Sequence, residues 1–215
     1  MQNIFTNKNN DWKENRFGEI INLLTDYHAN GSYQILKANV ELKNTEDYAW
    51  MVRSTDFENN FQKDKRYITK KSYDFLKKSK IFGNEIIICK IGNAGKVYLM
   101  PKIDRPCSLA MNSFLIRLNE SKCLSEYVYQ YLNSKNGREQ IESRILGTTT
   151  KTITKDNVRS IVIPYPSLKE QNIIVEKINA LSEGTKKLES ICKQKLTDLE
   201  ELKKSILSKA FSGEL

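Results

Sequence analysis

Histidine, cysteine and proline are scarce in this chain: one, four and four among 215 residues. The single histidine, His28, has no second imidazole with which to share a metal, and beside the Asn30-Gly31 pair it reads as a turn residue. With no G-x-S-x-G turn either, a nucleophilic triad is excluded. Cys89, Cys107, Cys123 and Cys192 stand far apart and form no C-x-x-C pair, which argues against structural zinc and fits reduced thiols. No two prolines are adjacent, so the Asn/Asp-Pro-Pro-Tyr type of motif used to methylate adenine is missing; Pro164-Tyr165-Pro166 matches it only superficially. No apolar run nears the roughly 18 residues of a membrane span, and the polar, Asn-rich residues 1–10 lack the charged-then-apolar order of a secretory signal. These absences predict a cytoplasmic chain with no metal, membrane partner or cofactor of its own.

Acidic residues are also short, 26 against 35 basic ones, for a net charge of +9. Residues 168–215 carry nine lysines against eight carboxylates, which leaves +8 for residues 1–167. Such a split is the footprint of a globular part that meets phosphate and a near-neutral segment that meets protein.

That segment runs from Leu168 almost to Phe211 without a proline and with one glycine, Gly184. Apolar or small residues recur at Ile174, Ile178, Leu181, Thr185, Leu188, Cys192, Leu196, Leu199, Leu202 and Ile206, a mean step of about 3.6 residues. The spacing predicts one helix of roughly 40 residues, about 60 Å long, with a single apolar stripe. An uncovered stripe of that length exceeds the roughly 400 Å² a soluble monomer tolerates, so a second helix is expected to cover it.

Upstream, residues 12–21 read as a short amphipathic opening, and residues 27–33 as a turn. Residues 48–55 read as a buried strand that places Arg53 at its end, where contact residues commonly sit. Residues 61–67 form a basic loop with aromatics, and residues 69–80 a Thr69-capped helix with Tyr73, Phe75 and Leu76 inward. A core strand over 83–92 empties into Gly92-Asn93-Ala94-Gly95-Lys96 and resumes at Val97. Residues 101–118 read as a loop leading to another strand. Residues 121–142 show helical spacing with a core-facing stripe of Leu124, Tyr127, Val128, Tyr131 and Leu132. Residues 147–154 form a hydroxyl-rich extended segment suited to phosphates or base edges, and residues 160–166 a last strand stopped by two prolines. Strands and helices alternate irregularly, so the fold class is α+β: a globular domain over 1–167 with mixed and antiparallel strands, followed by the long helix over 168–215.

Little of this suggests catalysis. A P-loop needs G-x-x-x-x-G-K, then Ser or Thr, then a helix; here the spacing is G-x-x-G-K and Val97 opens a strand. A tight turn presenting Lys90, Asn93 and Lys96 fits better. Asp26 with Glu41-Leu42-Lys43 can be drawn as a nuclease D…E-x-K set, but such a match arises easily by chance in a chain with 28% charged residues. No active site is expected. The readings left open are a nucleic-acid-binding module, a coiled-coil adaptor that binds protein, and a stand-alone nuclease.

The junction Ile163-Pro164-Tyr165-Pro166-Ser167-Leu168-Lys169-Glu170-Gln171, with the ending Leu199-Glu200-Glu201-Leu202 through Ala210-Phe211-Ser212-Gly213, resembles the specificity subunits of type I restriction-modification systems, whose helical regions open with I-P-x-P-x-L-x-E-Q. Gly83-Asn84-Glu85-Ile86 with Lys90 to Val97 is similar to that family's G-D-I-x-I…G-x-x-G-K segment, and Gly147-Thr148-Thr149 to its G-S/T-T. Asn84 replaces the usual Asp, and Ala110-Met111-Asn112 the common Asn-Gln-Asn. The resemblance implies a non-catalytic DNA-recognition domain. It also implies a helix that sets spacing and docks methyltransferase subunits, which carry S-adenosylmethionine, and sometimes restriction subunits. Family members commonly hold two recognition domains and two antiparallel helices, so one of each suggests a half-size subunit that pairs with itself on a bipartite, palindromic target. The residues expected at DNA are Arg53, Lys90, Asn93, Lys96, Asn112, Thr148, Thr149, Thr150 and Lys151. Those expected at a partner helix are Ile174, Ile178, Leu181, Leu188, Leu196, Leu199, Leu202 and Ile206. Glu170 and Gln171 read as helix-start residues that favour the N-terminal dipole.

Overall fold

The structure, a computed structural model, describes Phe5 and residues 12–213; the rest of the polar opening 1–10 lies outside the described residues. The chain forms two compact units, Met1–Asn172 and Ile173–Leu215. In chain order the elements are β1 (Lys13–Arg16), α1 (Phe17–Ile20), β2 (Ile21–Asp26), a 3-10 turn (Tyr27–Asn30), α2 (Tyr33–Asn39), β3 (Leu42–Lys43), β4 (Ala49–Val52), α3 (Ser54–Glu58) and β5 (Tyr67–Ile68). There follow α4 (Lys70–Phe75), β6 (Lys80–Ile81), β7 (Ile86–Cys89), β8 (Val97–Leu99), β9 (Cys107–Leu109), β10 (Ser113–Leu118), α5 (Ser125–Asn133), α6 (Lys135–Glu142), α7 (Lys155–Arg159), β11 (Val162–Tyr165) and α8 (Leu168–Ser212). The α+β class holds.

Two sheets carry the first unit: β2-β10-β7-β8, antiparallel throughout, and β3-β5-β4-β9-β6, in which β4 and β9 run parallel. β1 and β11 pair separately. β4 reads as a continuous apolar run because both of its faces are covered. Trp50 and Val52 join a core with Ile87, Leu109 and Leu115, while Ala49 and Met51 join another with Leu36, Ile68 and Leu76. The tyrosine stripe is core too, Tyr127 and Tyr131 lying against the Phe5 ring. Burial pushes the Tyr131 hydroxyl up to about 12.

Three expectations needed correction. The helix predicted over 69–80 is capped by Thr69 but ends at Phe75, because buried Ser79 is held by Ser108 and Asn30, and Lys80 enters a strand. The helical stretch 121–142 is two helices, since Ser134 leaves helical geometry to accept the Gly137 N–H as an N-cap. The segment 147–154 is not extended: Leu146 and Thr152 exchange two 2.8 Å backbone hydrogen bonds and pinch off a loop. Gly147 sits there at φ +90°, and a Cβ on it would lie 2.4 Å from the Thr150 carbonyl oxygen.

Two residues fix the start of α8. Ser167 and Glu170 form a capping box: the Glu170 carboxylate accepts from the Ser167 N–H (3.0 Å) and hydroxyl (2.8 Å), and the Ser167 Oγ accepts from the Glu170 N–H (3.3 Å). The Ser167 hydroxyl holds the Glu170 carboxyl below its ordinary range. Gln171 does something the helix dipole does not need. Fully buried, its Oε1 accepts from the Leu124 N–H (2.9 Å) and its Nε2 donates to the Pro166 carbonyl (3.0 Å). Gln171→Ala leaves both backbone groups unpaired in the interior, an expected loss of about 2 kcal/mol in urea unfolding. A loss below roughly 0.5 kcal/mol would show that solvent replaces these bonds.

The second unit is the remainder of α8. Of the residues expected at a partner helix, Ile174 and Ile178 are 7% and 1% exposed. The uncovered stripe begins at Leu181 and continues through Leu188, Leu196, Leu199, Leu202 and Ile206, each 48–64% exposed. No helix among the described residues is long and apolar enough to cross a membrane.

Candidate nucleic-acid interface

Strand directions gather the nominated residues at one edge of the first unit. β4 and β9 are parallel, so their ends at Val52 and Leu109 lie side by side and deliver Arg53 and residues 110–112 together. β7 ends at Cys89 opposite Ser113, where β10 begins, so Lys90 and the glycine turn leave from the same edge. The 147–151 loop is tied there by the hydrogen bond from Ile153 N–H to Lys90 O (3.0 Å).

The Gly92–Lys96 segment is the expected hairpin turn, joining antiparallel β7 and β8 with no helix after it, so it is no phosphate-binding P-loop. Gly95 has φ +81°, and a Cβ there would lie 2.4 Å from Ile141 Cγ2. Glycine is therefore required twice, for the backbone conformation and for the approach of α6. Between this turn, α6 and the 147–151 loop lies a cleft of about 660 Å³, lined by Asn93, Lys96, Arg138, Glu142, Gly147 and Lys151 among others.

Of the nine nominated residues, Asn93, Lys96 and Lys151 share that cleft. Thr148, Thr149 and Thr150 are exposed on the neighbouring loop. Asn112 is exposed in a left-handed turn, φ +68°, with its carbonyl accepting from Lys90 N–H at 2.7 Å. Two others are committed to the chain itself. The Arg53 guanidinium donates to both oxygens of fully buried Asp56 (3.3 and 2.7 Å) and to the Asp64 carbonyl, which fixes the basic loop after α3. Lys90, its side chain 18% exposed, pairs with Asp26 at 3.2 Å, and Lys155 approaches the other Asp26 oxygen at 3.7 Å.

Sequence reading missed Arg138 and Glu58. Arg138 donates to the Gly95 carbonyl (3.3 Å) and to Asn133 Oδ1 (2.5 Å), bracing the glycine turn against α5. Its only sequence signal is a Gly-Arg pair in the first turn of a Ser-capped helix. Glu58 accepts from Lys96 Nζ (2.7 Å), the Tyr98 hydroxyl (3.1 Å) and, at 3.5 Å, Asn93 Nδ2. Bonding to Lys96 holds its carboxyl below the ordinary range, and the same bond raises the Lys96 ammonium. Burial first, then the nearby Cys89 thiol, push the Tyr98 hydroxyl up to about 12.

The nuclease set does not assemble. Asp26 ends β2 in one sheet and is engaged by Lys90 and Lys155, whereas Lys43 in the other sheet pairs with Glu41 and Asp47. Among the described residues no three His, Cys, Asp or Glu side chains cluster as metal ligands.

Loops gathered at one edge of the first unit, cations and amides around a cleft, and a long helix with an exposed apolar stripe are the parts that a recognition module carried with an association helix requires. The chain belongs to the type I restriction-modification DNA specificity domain family, whose sequence pattern matches residues 9–198. It is 24% identical over 208 residues to the specificity subunit of the type I restriction enzyme EcoBI from Escherichia coli, covering 95% of this chain and 42% of that protein. It is 30% identical over 101 residues to the StySPI specificity subunit of Salmonella potsdam, covering 46% and 22%. Its fold matches a chain solved in a study of the assembly and conformational transition of the type I R-M system (TM-score 0.70, 16% identity, 97% of this chain and 48% of that one). It also matches the HsdS subunit of Thermoanaerobacter tengcongensis (TM-score 0.63, 16% identity, 97% and 47%). The chain thus spans less than half the length of these relatives.

Proposed function

We propose that this chain is a DNA-reading specificity subunit that contributes no chemistry of its own and recognises one half of a bipartite target. The observation that carries the reading is the shared cleft of Asn93, Lys96, Arg138 and Lys151, built within a DNA specificity family. Asparagine suits bidentate pairing with adenine, whereas the lysines suit phosphate. One such module buries only about 600–1,000 Å² on DNA, so a second reader is needed for specificity. A second copy, joined through the stripe from Leu181 to Ile206, supplies it. Methyltransferase subunits, which bind S-adenosylmethionine and modify adenine, dock on the helix, and restriction subunits join where the system has them.

Binding to a random-sequence duplex, titrated between about 50 and 200 mM salt, is expected to weaken steeply, and Lys151→Met to flatten the log–log slope by about 0.9. Salt-independent binding, or none, would favour the adaptor reading. Sequencing methylated adenines in cells carrying the chain with its methyltransferase is expected to show a two-part palindrome.

A further inference from the structure

We propose that Glu58 is a specificity-determining residue: an internal stand-in for phosphate that holds Lys96, Asn93 and Tyr98 until a DNA site offers its carboxylate another donor. The inference rests on the DNA reading above and deepens it.

A single oxygen, Glu58 Oε1, receives all three donors. Their convergence is built rather than incidental. The Phe57 ring stacks on Tyr98 at 4.5 Å and 17°, which sets the end of α3 over β8 and the glycine turn. The donors are those that would otherwise meet nucleic acid: an ammonium and an amide on the cleft, with a phenol beside them.

The pair is placed to exchange. The Lys96 and Glu58 side chains are 42% and 38% exposed, and an ion pair so wetted is worth little, so Lys96 can leave it for a phosphate. Lys90 is the contrast, because its pair with Asp26 is 18% and 12% exposed and holds the fold. Once Lys96 turns to a phosphate, however, a bare carboxylate faces a polyanion. On an arbitrary sequence that repulsion stands. A base pair whose exocyclic amine reaches Glu58, cytosine N4 or adenine N6, removes it by donating to the carboxylate. One group therefore penalises wrong sequences and accepts right ones.

The test measures salt-dependent binding of the full chain to a random-sequence duplex. Glu58→Gln keeps the size and the acceptor but not the charge. It is expected to steepen the log–log slope by about 0.9 and to tighten binding roughly fivefold to tenfold near 0.1 M salt. Glu58→Ala is expected to show the same gain. In a Lys96→Met background the part of the gain that comes from freeing Lys96 should vanish, leaving only the smaller gain from the lost repulsion. Glu142→Gln removes an equal charge from the same cleft and is expected to give a smaller gain that survives Lys96→Met. An unchanged or shallower slope in Glu58→Gln, or an equal gain from Glu142→Gln, would overturn the proposal. Absence of salt-dependent binding by the unaltered chain would instead sink the DNA reading on which it rests.

Discussion

Gly137→Ala is expected to destabilise the first unit by about 3 kcal/mol or more, seen as a lowered urea midpoint at unchanged slope. Gly137 is buried in the first turn of α6, where its N–H donates to the Ser134 cap. A Cβ built there would lie 2.2 Å from the Tyr131 carbonyl oxygen and 2.7 Å from Leu132 Cα. Both neighbours are backbone of α5, so no side chain can rotate aside, and the added methyl must push the two helices apart. Because α6 carries Arg138 and Ile141, which lie against Gly95, the displacement also opens the cleft, and DNA affinity is expected to fall with stability. The same substitution at Gly184 is the control. Among the described residues nothing beyond the helix's own backbone lies within 4 Å of a Cβ there, the position is helix interior, and alanine is expected to stabilise by up to about 1 kcal/mol. Equal, small effects at both positions would show that the α5–α6 junction yields without cost.

The contrast shows what the sequence reveals and what it conceals. Periodicity placed α8, β4, β7 and β8, and the prolines at 164 and 166 marked the helix start, because each of these is set by neighbours in the chain. The cleft was legible in part: Asn93, Lys96 and Lys151 stood out by residue type beside glycine turns. What reading missed are partnerships across sequence. Glu58 meets Lys96 38 residues away, and Gln171 meets Leu124 47 residues back. The segment beginning at Gly83 shows the converse. It resembles a family motif, yet it lies at the other end of β7 from the cleft. There Gly83 and Asn84 take left-handed backbone conformations, φ +102° and +66°, while buried Glu85 accepts from the N–H groups of Phe82 and Gly83 and from Arg117. Asparagine at 84 tolerates that conformation, so its departure from Asp bears on a turn rather than on the cleft.

The second large effect concerns α8. Light scattering is expected to give the mass of two chains for the intact protein and of one chain for Leu188→Glu combined with Leu199→Glu. Fully burying a leucine or isoleucine is worth about 1.5–3 kcal/mol, and six such side chains from Leu181 to Ile206 stand about half exposed or more. Two copies together bring enough apolar surface to outweigh the roughly 4–15 kcal/mol that association costs. Near-neutral charge along residues 168–215 removes the repulsion that a like-charged pair would meet. A carboxylate inside the seam must shed water without a partner, at several kcal/mol per site, so two per chain and four per dimer exceed what the remaining leucines return. The two sites lie beyond Ile178, in the exposed part of the helix, so the first unit should unfold at its usual urea concentration in the variant. A single-chain mass for the intact protein would sink self-pairing and assign the stripe to a helix of another protein. A dimer that persists in the double variant would place the contact elsewhere than on this face.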